Sequence, residues 1–457
     1  MTVTRAIALL ASAGLAAAVV TVAAPAAHAQ LKVPQGWTNL GDPLPGAVHD
    51  VVNYRGTIYA AGTFGSGLAR WDADKGAWTM LGDGPAREIH ALAVGPDGTL
   101  YGAGEMAADA KTGFVAAWQD SSWKDLGQIR TSVSPSMPGV WQIAVDSKGR
   151  LYVGGMFDRV DGMPVNNLAQ YDGKKWSATP GPIQFPAAVT ALAVGPKDEL
   201  YVGAFAVLDP KLSYASVLKQ GAWSTLDGLT WDCQGLNPCM GILSMAVDPQ
   251  GTVHAAGELA VGSTQTAYAT WNGSSWTAGA TQSMNRASAL TLDQAGTAYV
   301  AGGQYPDPDK WMVARMSNPP VALGAPTGGI GVWALTVRDG SVYAGFSQGN
   351  PDDPTTSTQM ASFALPAKNV VPSLPRNVRI VTAADGRPMV AWKAPAFATS
   401  ATYQVQFRLE GEKEWRPATV IDGQRLAKLP RGVAGERIEV RVRASGGAWA
   451  IIAKPAA

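Results

Sequence analysis

The chain has 457 residues and a formal net charge of +1, and only 16% of its residues are charged. Glycine (52), proline (31) and tryptophan (16) are abundant, and apolar runs at helical spacing are missing, so the composition predicts an all-β protein. The length exceeds that of one ordinary domain, and the near-neutral charge argues against a nucleic-acid partner.

Residues 1–29 have the pattern of a secretory signal peptide. Arg5 precedes an apolar run, and an A-x-A cleavage site ends at Ala29. No later stretch approaches the ~20 apolar residues that a transmembrane span needs. We therefore expect an exported chain without a transmembrane segment, located outside the cell or in the periplasm. An uncleaved membrane anchor at residues 1–29 is the less favoured alternative.

A unit of four strands is clearest between Val140 and Gly181. Its predicted strands are Trp141–Val145, Leu151–Gly154, Asn167–Tyr171 and Lys175–Ala178, with a long polar loop between the second and the third. The second strand recurs seven times, around Tyr59, Tyr101, Tyr152, Tyr201, His254, Tyr299 and Tyr343. A four-strand repeat with spacings of 42 to 53 residues predicts a seven-bladed β-propeller over residues 30–366.

The two ends of this repeat predict how the ring closes. The first outer-strand segment, Trp37–Gly41, precedes the first inner strand, whereas the seventh copy ends at Met360–Leu365 without a fourth strand. We therefore expect the N-terminal segment to supply the outer strand of the last blade. Closure removes an open strand edge, which would favour aggregation.

Three features of the repeat carry a family resemblance: the Gly154-Gly155 doublet, the Tyr171-Asp172 pair and the following Trp176. With these features the repeat resembles the kelch family, and it is similar to the kelch-like propeller of galactose oxidase. The doublet is Ala-Gly or Gly-Ala in most copies, which departs from kelch. The resemblance covers residues 35–366 and implies the propeller architecture.

Cys233 and Cys239 are the two cysteines of the chain. In an exported protein their close spacing favours a disulfide that staples a loop, and a metal pair is the alternative. The mature chain offers only His49, His90 and His254 as further nitrogen ligands, so the sequence predicts no metal site and no cofactor. The copper site of galactose oxidase is not expected here, because it needs histidines, tyrosines and a cysteine crosslinked to tyrosine, and the predicted disulfide uses both cysteines.

A proline-marked linker, residues 367–372, separates the propeller from residues 373–457. The last segment alternates apolar and polar residues over strand lengths, which predicts an antiparallel sandwich. With Pro375, Trp392, Tyr403 and Trp415 in place it resembles a fibronectin type III domain, although Ile438 stands where that family has a corner tyrosine.

The charge of the chain is divided between these two parts. From Ser373 onward there are 14 Lys and Arg against 7 Asp and Glu, whereas Gln30–Pro372 holds 21 against 28. A basic module of this kind suits contact with an anionic surface or docking on the acidic domain.

The starts of the inner strands surround the channel of a propeller. Aligning them places Val48, His90, Trp141, Thr190, Leu243, Ser288 and Trp333 at one level, and His49, Gln142 and Ser244 at the next. These positions vary where the strands are otherwise uniform, which favours a ligand surface; solvent-facing channel lining explains the variety equally well. Most tryptophans recur in outer strands as packing residues, so Trp141 and Trp333 are the candidate ligand platforms.

The loops between second and third strands are rich in carboxylates. They are Glu105, Asp109, Asp158, Asp161, Asp209, Glu258, Asp307, Asp309, Asp352 and Asp353. A facing pair would suit acid and base catalysis on a sugar, and we single out Asp158 and Asp161 as ligand-binding candidates. Solvated loop residues and turn formers are the plainer explanation.

No nucleophile, metal cluster or cofactor loop is identifiable in the sequence. It therefore predicts a monomeric, non-catalytic binding protein whose propeller face recognises polysaccharide or another cell-envelope component. An extracellular glycoside hydrolase or polysaccharide lyase, and a module that recognises a protein partner, are the alternatives.

Overall fold

The computed structural model describes residues 36–65, 67–82, 87–106, 109–131, 139–180, 188–205, 215–230, 241–281, 284–304, 307–317, 319–324, 330–348, 358–365, 376–383, 385–393, 403–421, 426–433, 436–444 and 450–454. Within these ranges the regular elements are β-strands and one short 3₁₀ turn, Arg431–Val433. None of the described segments is a helix with the length and apolar character to cross a membrane. The predicted signal peptide lies outside the described residues.

Strand β1 (Trp37–Asn39) opens the described chain, and the strands up to residue 364 form seven antiparallel sheets within the described ranges. Sheet 1 contains β2 (Val48–Tyr54), β3 (Thr57–Gly62), β4 (Leu68–Asp72) and β5 (Ala77–Leu81). Sheet 2 contains β6 (Arg87–Val94), β7 (Leu100–Met106), β8 (Asp109–Gln119) and β9 (Ser122–Arg130). Sheet 3 contains β10 (Gly139–Val145), β11 (Leu151–Met156), β14 (Leu168–Tyr171) and β15 (Trp176–Ala178). A hairpin of β12 (Arg159–Val160) and β13 (Met163–Pro164) lies between β11 and β14 in the chain.

The remaining four sheets repeat this order. Sheet 4 contains β16 (Ala188–Val194), β17 (Leu200–Phe205), β18 (Ala215–Lys219) and β19 (Ala222–Thr225). Sheet 5 contains β20 (Leu229–Thr230), β21 (Ile242–Val247), β22 (Val253–Val261), β23 (Thr264–Trp271) and β24 (Trp276–Ala278). Sheet 6 contains β25 (Arg286–Leu292), β26 (Ala298–Gln304), β27 (Asp307–Met316) and β28 (Val321–Gly324). Sheet 7 contains β29 (Ile330–Arg338), β30 (Ser341–Gln348) and β31 (Thr358–Ala364), and β1 completes it.

The first strands of these sheets contact one another in sequence order. Each of β2, β6, β10, β16, β21, β25 and β29 packs against the next, and β29 returns to β2. The N-terminal strand β1 pairs antiparallel with β31, with Trp37 opposite Phe363, as the repeat predicts. The first strands therefore surround a common axis, which is the arrangement of a β-propeller.

Tryptophans of the fourth strands join neighbouring sheets. The indole N–H of Trp78 donates to the Leu40 carbonyl at 2.8 Å, and Trp176 does the same to Leu126. Indole rings also pair within a sheet, as in Trp71 with Trp78 at 5.4 Å between ring centroids. The packing role predicted for the outer-strand tryptophans is thus observed at these positions.

The segment between β11 and β14 differs from the predicted polar loop. Its hairpin, β12–β13, pairs with β9 of the preceding sheet, and the Asp161 carboxylate accepts the backbone N–H of Gln128 at 2.7 Å. Asp161 adopts a positive φ of 46° in the hairpin turn, a conformation that aspartate tolerates. The hairpin therefore ties sheet 3 to sheet 2.

The C-terminal strands form two further antiparallel sheets. One contains β32 (Arg376–Thr382), β33 (Pro388–Lys393), β36 (Thr419–Val420) and β37 (Leu426–Lys428), and the other β34 (Tyr403–Leu409), β35 (Arg416–Pro417), β38 (Ile438–Ala444) and β39 (Ala450–Lys454). Trp392, Phe407 and Ile438 are buried in one shared core. Residues 376–454 are therefore a β-sandwich over their described parts.

Candidate functional site

Each first strand of the seven sheets carries a β-bulge at the same place. The residues that fall out of register are His49, His90, Trp141, Thr190, Leu243, Ser288 and Trp333. A bulge bends a strand and re-aims one side chain, so these seven residues form an equivalent set around the axis. We call this set the bulge ring.

The bulge ring corrects one residue of the sequence alignment, which placed Val48 at this level. Val48 pairs in register with Gly62 and is fully buried, and His49 is the bulged residue. The connection between β2 and β3 is a two-residue turn, with φ of 48° at Arg55 and 79° at Gly56. Most other first strands are followed by a longer turn, so their bulged residue lies one position further from the repeated second-strand residue. His49 and His90 are therefore the equivalent residues of sheets 1 and 2.

The bulges also account for the glycine that ends the repeated Tyr-x-x-Gly segment. A Cβ atom at Gly104 would lie 1.9 Å from the carbonyl oxygen of Glu88, two residues before the bulge. At Gly62 the corresponding distance to the Ala47 oxygen is 1.8 Å. At these two positions the close approach of two backbones therefore requires glycine on the second strand, whereas Ala204 and Phe346 occupy the equivalent positions of sheets 4 and 7.

His49, Glu88 and His90 converge where sheets 1 and 2 meet. The Glu88 Oε1 atom lies 3.2 Å from His49 Nε2 and 3.3 Å from His90 Nε2. The two imidazole rings pack edge to face with centroids 4.9 Å apart. The side chains are 13% (His49), 30% (Glu88) and 18% (His90) exposed, so the cluster is accessible from solvent. We call it the His–Glu cluster.

Where sheets 1 and 2 meet, the environments of two carboxyl groups shift their pKa values in opposite directions. Hydrogen bonds from His49 and His90 hold the pKa of Glu88 well below its usual range. Burial raises the pKa of Asp50 to about 6, although its carboxylate accepts the backbone N–H groups of Leu92 and Val51 at 2.8 and 2.7 Å. Asp50, which follows His49 in the chain, therefore links the first strands of sheets 1 and 2.

Aromatic side chains flank the His–Glu cluster. Trp333, His49, His90 and Trp141 occupy bulges in β29, β2, β6 and β10, which are consecutive strands around the axis. All four residues are partly exposed. The two candidate tryptophans therefore stand on either side of the two histidines, and we call these four residues the aromatic arc.

The hydroxyl residues of the bulge ring link neighbouring sheets. Thr190 Oγ1 donates to the Ile242 carbonyl at 2.5 Å, and Ser288 Oγ donates to the Val332 carbonyl at 2.6 Å. Each acceptor precedes the bulge of the next first strand. These two contacts give Thr190 and Ser288 a structural role between sheets.

The other predicted site residues lie in the first strands and in the β12–β13 hairpin. Gln142 and Ser244 are partly buried and directly follow the bulges of β10 and β21. Asp158 and Asp161 lie at the β12–β13 hairpin. That hairpin pairs with β9, a fourth strand, whereas the bulges are in first strands. Ligand binding by these four residues stays a prediction.

A second charged pair lies near the strand starts on the opposite side of the ring. Arg286 Nη1 lies 3.5 Å from Glu258 Oε1, and the two side chains are only 13% and 6% exposed. Arg286 precedes the bulge of β25 by two residues, as Glu88 precedes that of β6. Glu258 is thus a buried ion-pair partner, which differs from a solvated loop carboxylate.

Sequence reasoning named His49 and His90 but missed Glu88. The signal was the Glu-x-His spacing in β6, combined with a histidine at the equivalent bulge of the preceding sheet. Cys233 and Cys239 lie outside the described residues, as do Asp209, Asp352 and Asp353. The disulfide therefore stays a prediction.

Neither a family model nor a curated protein sequence matches the chain. Among solved structures, a catalytically inactive virginiamycin B lyase from Staphylococcus aureus with quinupristin is 11% identical, with a TM-score of 0.48 over 71% of this chain and 97% of that one. The GH74 enzyme of Niastella koreensis is 13% identical, with a TM-score of 0.49 over 91% of this chain and 74% of that one.

A third similar structure is the WD40 β-propeller domain of Doa1. It is 13% identical, with a TM-score of 0.44 over 71% of this chain and 97% of that one. At these identities and scores the likenesses carry no argument about function. The propeller architecture rests on the sheet order and on the contacts between first strands.

Proposed function

We propose that the chain is an exported, closed seven-bladed β-propeller joined to a fibronectin type III domain, and that it binds extracellular polysaccharide without catalysing a reaction. The observation that carries this proposal is the aromatic arc, where Trp333 and Trp141 flank His49 and His90. A sugar ring pairs an apolar face with a rim of hydroxyl groups. Partly exposed indoles suit that face, and imidazole and carboxylate groups suit the hydroxyls.

The C-terminal sandwich supports an anionic polymer as the ligand. The guanidinium groups of Arg408 and Arg441 lie 4.6 and 4.2 Å from the centre of the Trp415 ring. Arg441 and Arg443 neighbour each other on one side of β38, opposite Gln406 and Gln404 of β34. Glu439 of the same strand pairs with Arg408, so Arg441 and Arg443 supply the excess positive charge of this basic face. The face belongs to the part of the chain with the larger excess of Lys and Arg.

The test is retention of the full mature chain on insoluble glycans and on purified cell walls. The proposal predicts retention on at least one of them, weakened by salt because exposed charges are screened. Absence of retention on every polymer would contradict it. Release of reducing ends or unsaturated products would instead favour a hydrolase or a lyase, and co-purification of one defined protein would favour protein recognition.

A further inference from the structure

We propose that His49, Glu88 and His90 bind one divalent transition-metal cation, with Zn²⁺ the best fit. The inference goes beyond the proposed function, because metal binding needs no glycan and is measured without one. It rests on the geometry of the His–Glu cluster and on the chemistry of its three donors.

The spacing of the donors matches a tetrahedral site. Zinc lies about 2.0–2.2 Å from imidazole nitrogen and carboxylate oxygen, so two tetrahedral ligands are about 3.3–3.5 Å apart. Glu88 Oε1 lies 3.2 Å from one imidazole nitrogen and 3.3 Å from the other. One ligand atom of each side chain lies within 4.8 Å of the others, so a single ion can reach all three.

The donors also fit in type and number. Two imidazoles and one carboxylate favour Zn²⁺ and its transition-metal neighbours over Mg²⁺ and Ca²⁺, which prefer oxygen ligands. Three protein ligands leave a coordination position for water or for an oxygen of a bound ligand. The exposure of the three side chains, 13%, 30% and 18%, leaves a path for such an oxygen.

The backbone holds the donors in place. His49 and His90 are both bulged residues on adjacent first strands, and Glu88 lies on the same strand as His90. Asp50 accepts the N–H of Leu92 across these strands, which fixes their relative position. The other bulge positions carry Trp, Thr, Leu or Ser, so within the described residues the arrangement occurs once around the ring.

His254 provides a matched control. It is the third histidine of the mature chain, and it is buried against Tyr268 and Asp248, away from the bulge ring. Its Nδ1 atom lies 2.6 Å from the Tyr268 hydroxyl. A His254→Gln variant therefore removes one imidazole without touching the His–Glu cluster.

The experiment is a calorimetric titration of the tag-free, EDTA-treated full mature chain with Zn²⁺ alone. We expect one ion per chain, and Co²⁺ in its place should give the visible bands of a tetrahedral site. His49→Asn, Glu88→Gln and His90→Asn should each weaken Zn²⁺ binding by at least the roughly 10–100-fold that loss of an outer-shell partner costs, whereas His254→Gln should bind as the wild type does.

Circular dichroism of each variant checks that a loss of binding is not a loss of fold. Absence of stoichiometric Zn²⁺ binding, or equal binding by folded wild type and folded cluster variants, would overturn the proposal. If the chain is retained on glycans but binds no Zn²⁺, the proposed function stands and the metal site fails. If it binds Zn²⁺ but is retained on no glycan, the metal site stands and the proposed function fails.

Discussion

The indole N–H of Trp37 donates a hydrogen bond of 3.0 Å to the carbonyl oxygen of Leu323, 286 positions further along the chain. On the other side of the same segment, Leu40 accepts the indole N–H of Trp78. The N-terminal segment is thus bonded to sheet 6 and to sheet 1 while β1 pairs within sheet 7. One short segment therefore joins the beginning and the end of the ring.

Truncation of Trp37 should open this closure. The side chain is 7% exposed and packs edge to face on Phe346 at 5.1 Å, so Trp37→Ala should lower the free energy of unfolding by about 3–5 kcal/mol. Urea titration followed by circular dichroism measures it. Trp223→Ala is the control, because that partly buried indole donates to Pro180, which follows the last strand of sheet 3, and so lies away from the closure. Equal losses in the two variants would show that closure contributes no special stability.

A methyl group at Gly104 should disturb both the fold and the His–Glu cluster. The added Cβ would lie 1.9 Å from the Glu88 carbonyl oxygen, so Gly104→Ala should destabilise the chain by about 1–3 kcal/mol and move Glu88. Thermal unfolding and Zn²⁺ titration of the same variant test the two effects. Gly432→Ala meets no atom within 4 Å and should change neither. Wild-type behaviour of Gly104→Ala would argue against the tight backbone contact at the bulge.

His254 should make the stability of the chain depend on pH. Burial lowers its pKa below the ordinary 6.5, against the opposing effect of Asp248. The folded chain therefore binds this proton more weakly than the unfolded chain, and the free energy of unfolding should fall as pH drops below 6.5. Urea titrations on either side of that pH measure the change.

A double variant isolates this contribution. The six other copies of the repeat carry tyrosine where His254 stands, and two of them carry leucine (Leu68 and Leu168) where Tyr268 stands. His254→Tyr with Tyr268→Leu should therefore fold and should lose part of the acid destabilisation. An unchanged pH slope in the double variant would assign that slope to other groups.

Much of the propeller could be predicted from the sequence because its strands repeat. The predicted strands of sheet 3 begin or end within two residues of those observed, since apolar alternation and the Asp172-Gly173 turn mark them. Pairing of β1 with β31 followed from counting fourth-strand segments. These features depend on local pattern and on the number of copies.

The site was less predictable, because it depends on register between strands. The short turn after β2 decides whether Val48 or His49 lies level with the other bulged residues, and the apolar residues alone do not reveal it. The role of Glu88 required knowing that His49 and His90 occupy equivalent bulges of β2 and β6, which depends on that register. The β12–β13 hairpin likewise pairs with the preceding sheet, which composition alone does not indicate.

The most direct test of the binding account is an equilibrium depletion assay on purified cell-wall polysaccharide. It compares the wild type with Trp141→Ala, Trp333→Ala and the outer-strand control Trp223→Ala. If the aromatic arc is the binding surface, each arc variant should bind at least about 10-fold more weakly, while the control keeps wild-type affinity. Wild-type affinity in both folded arc variants would contradict the account.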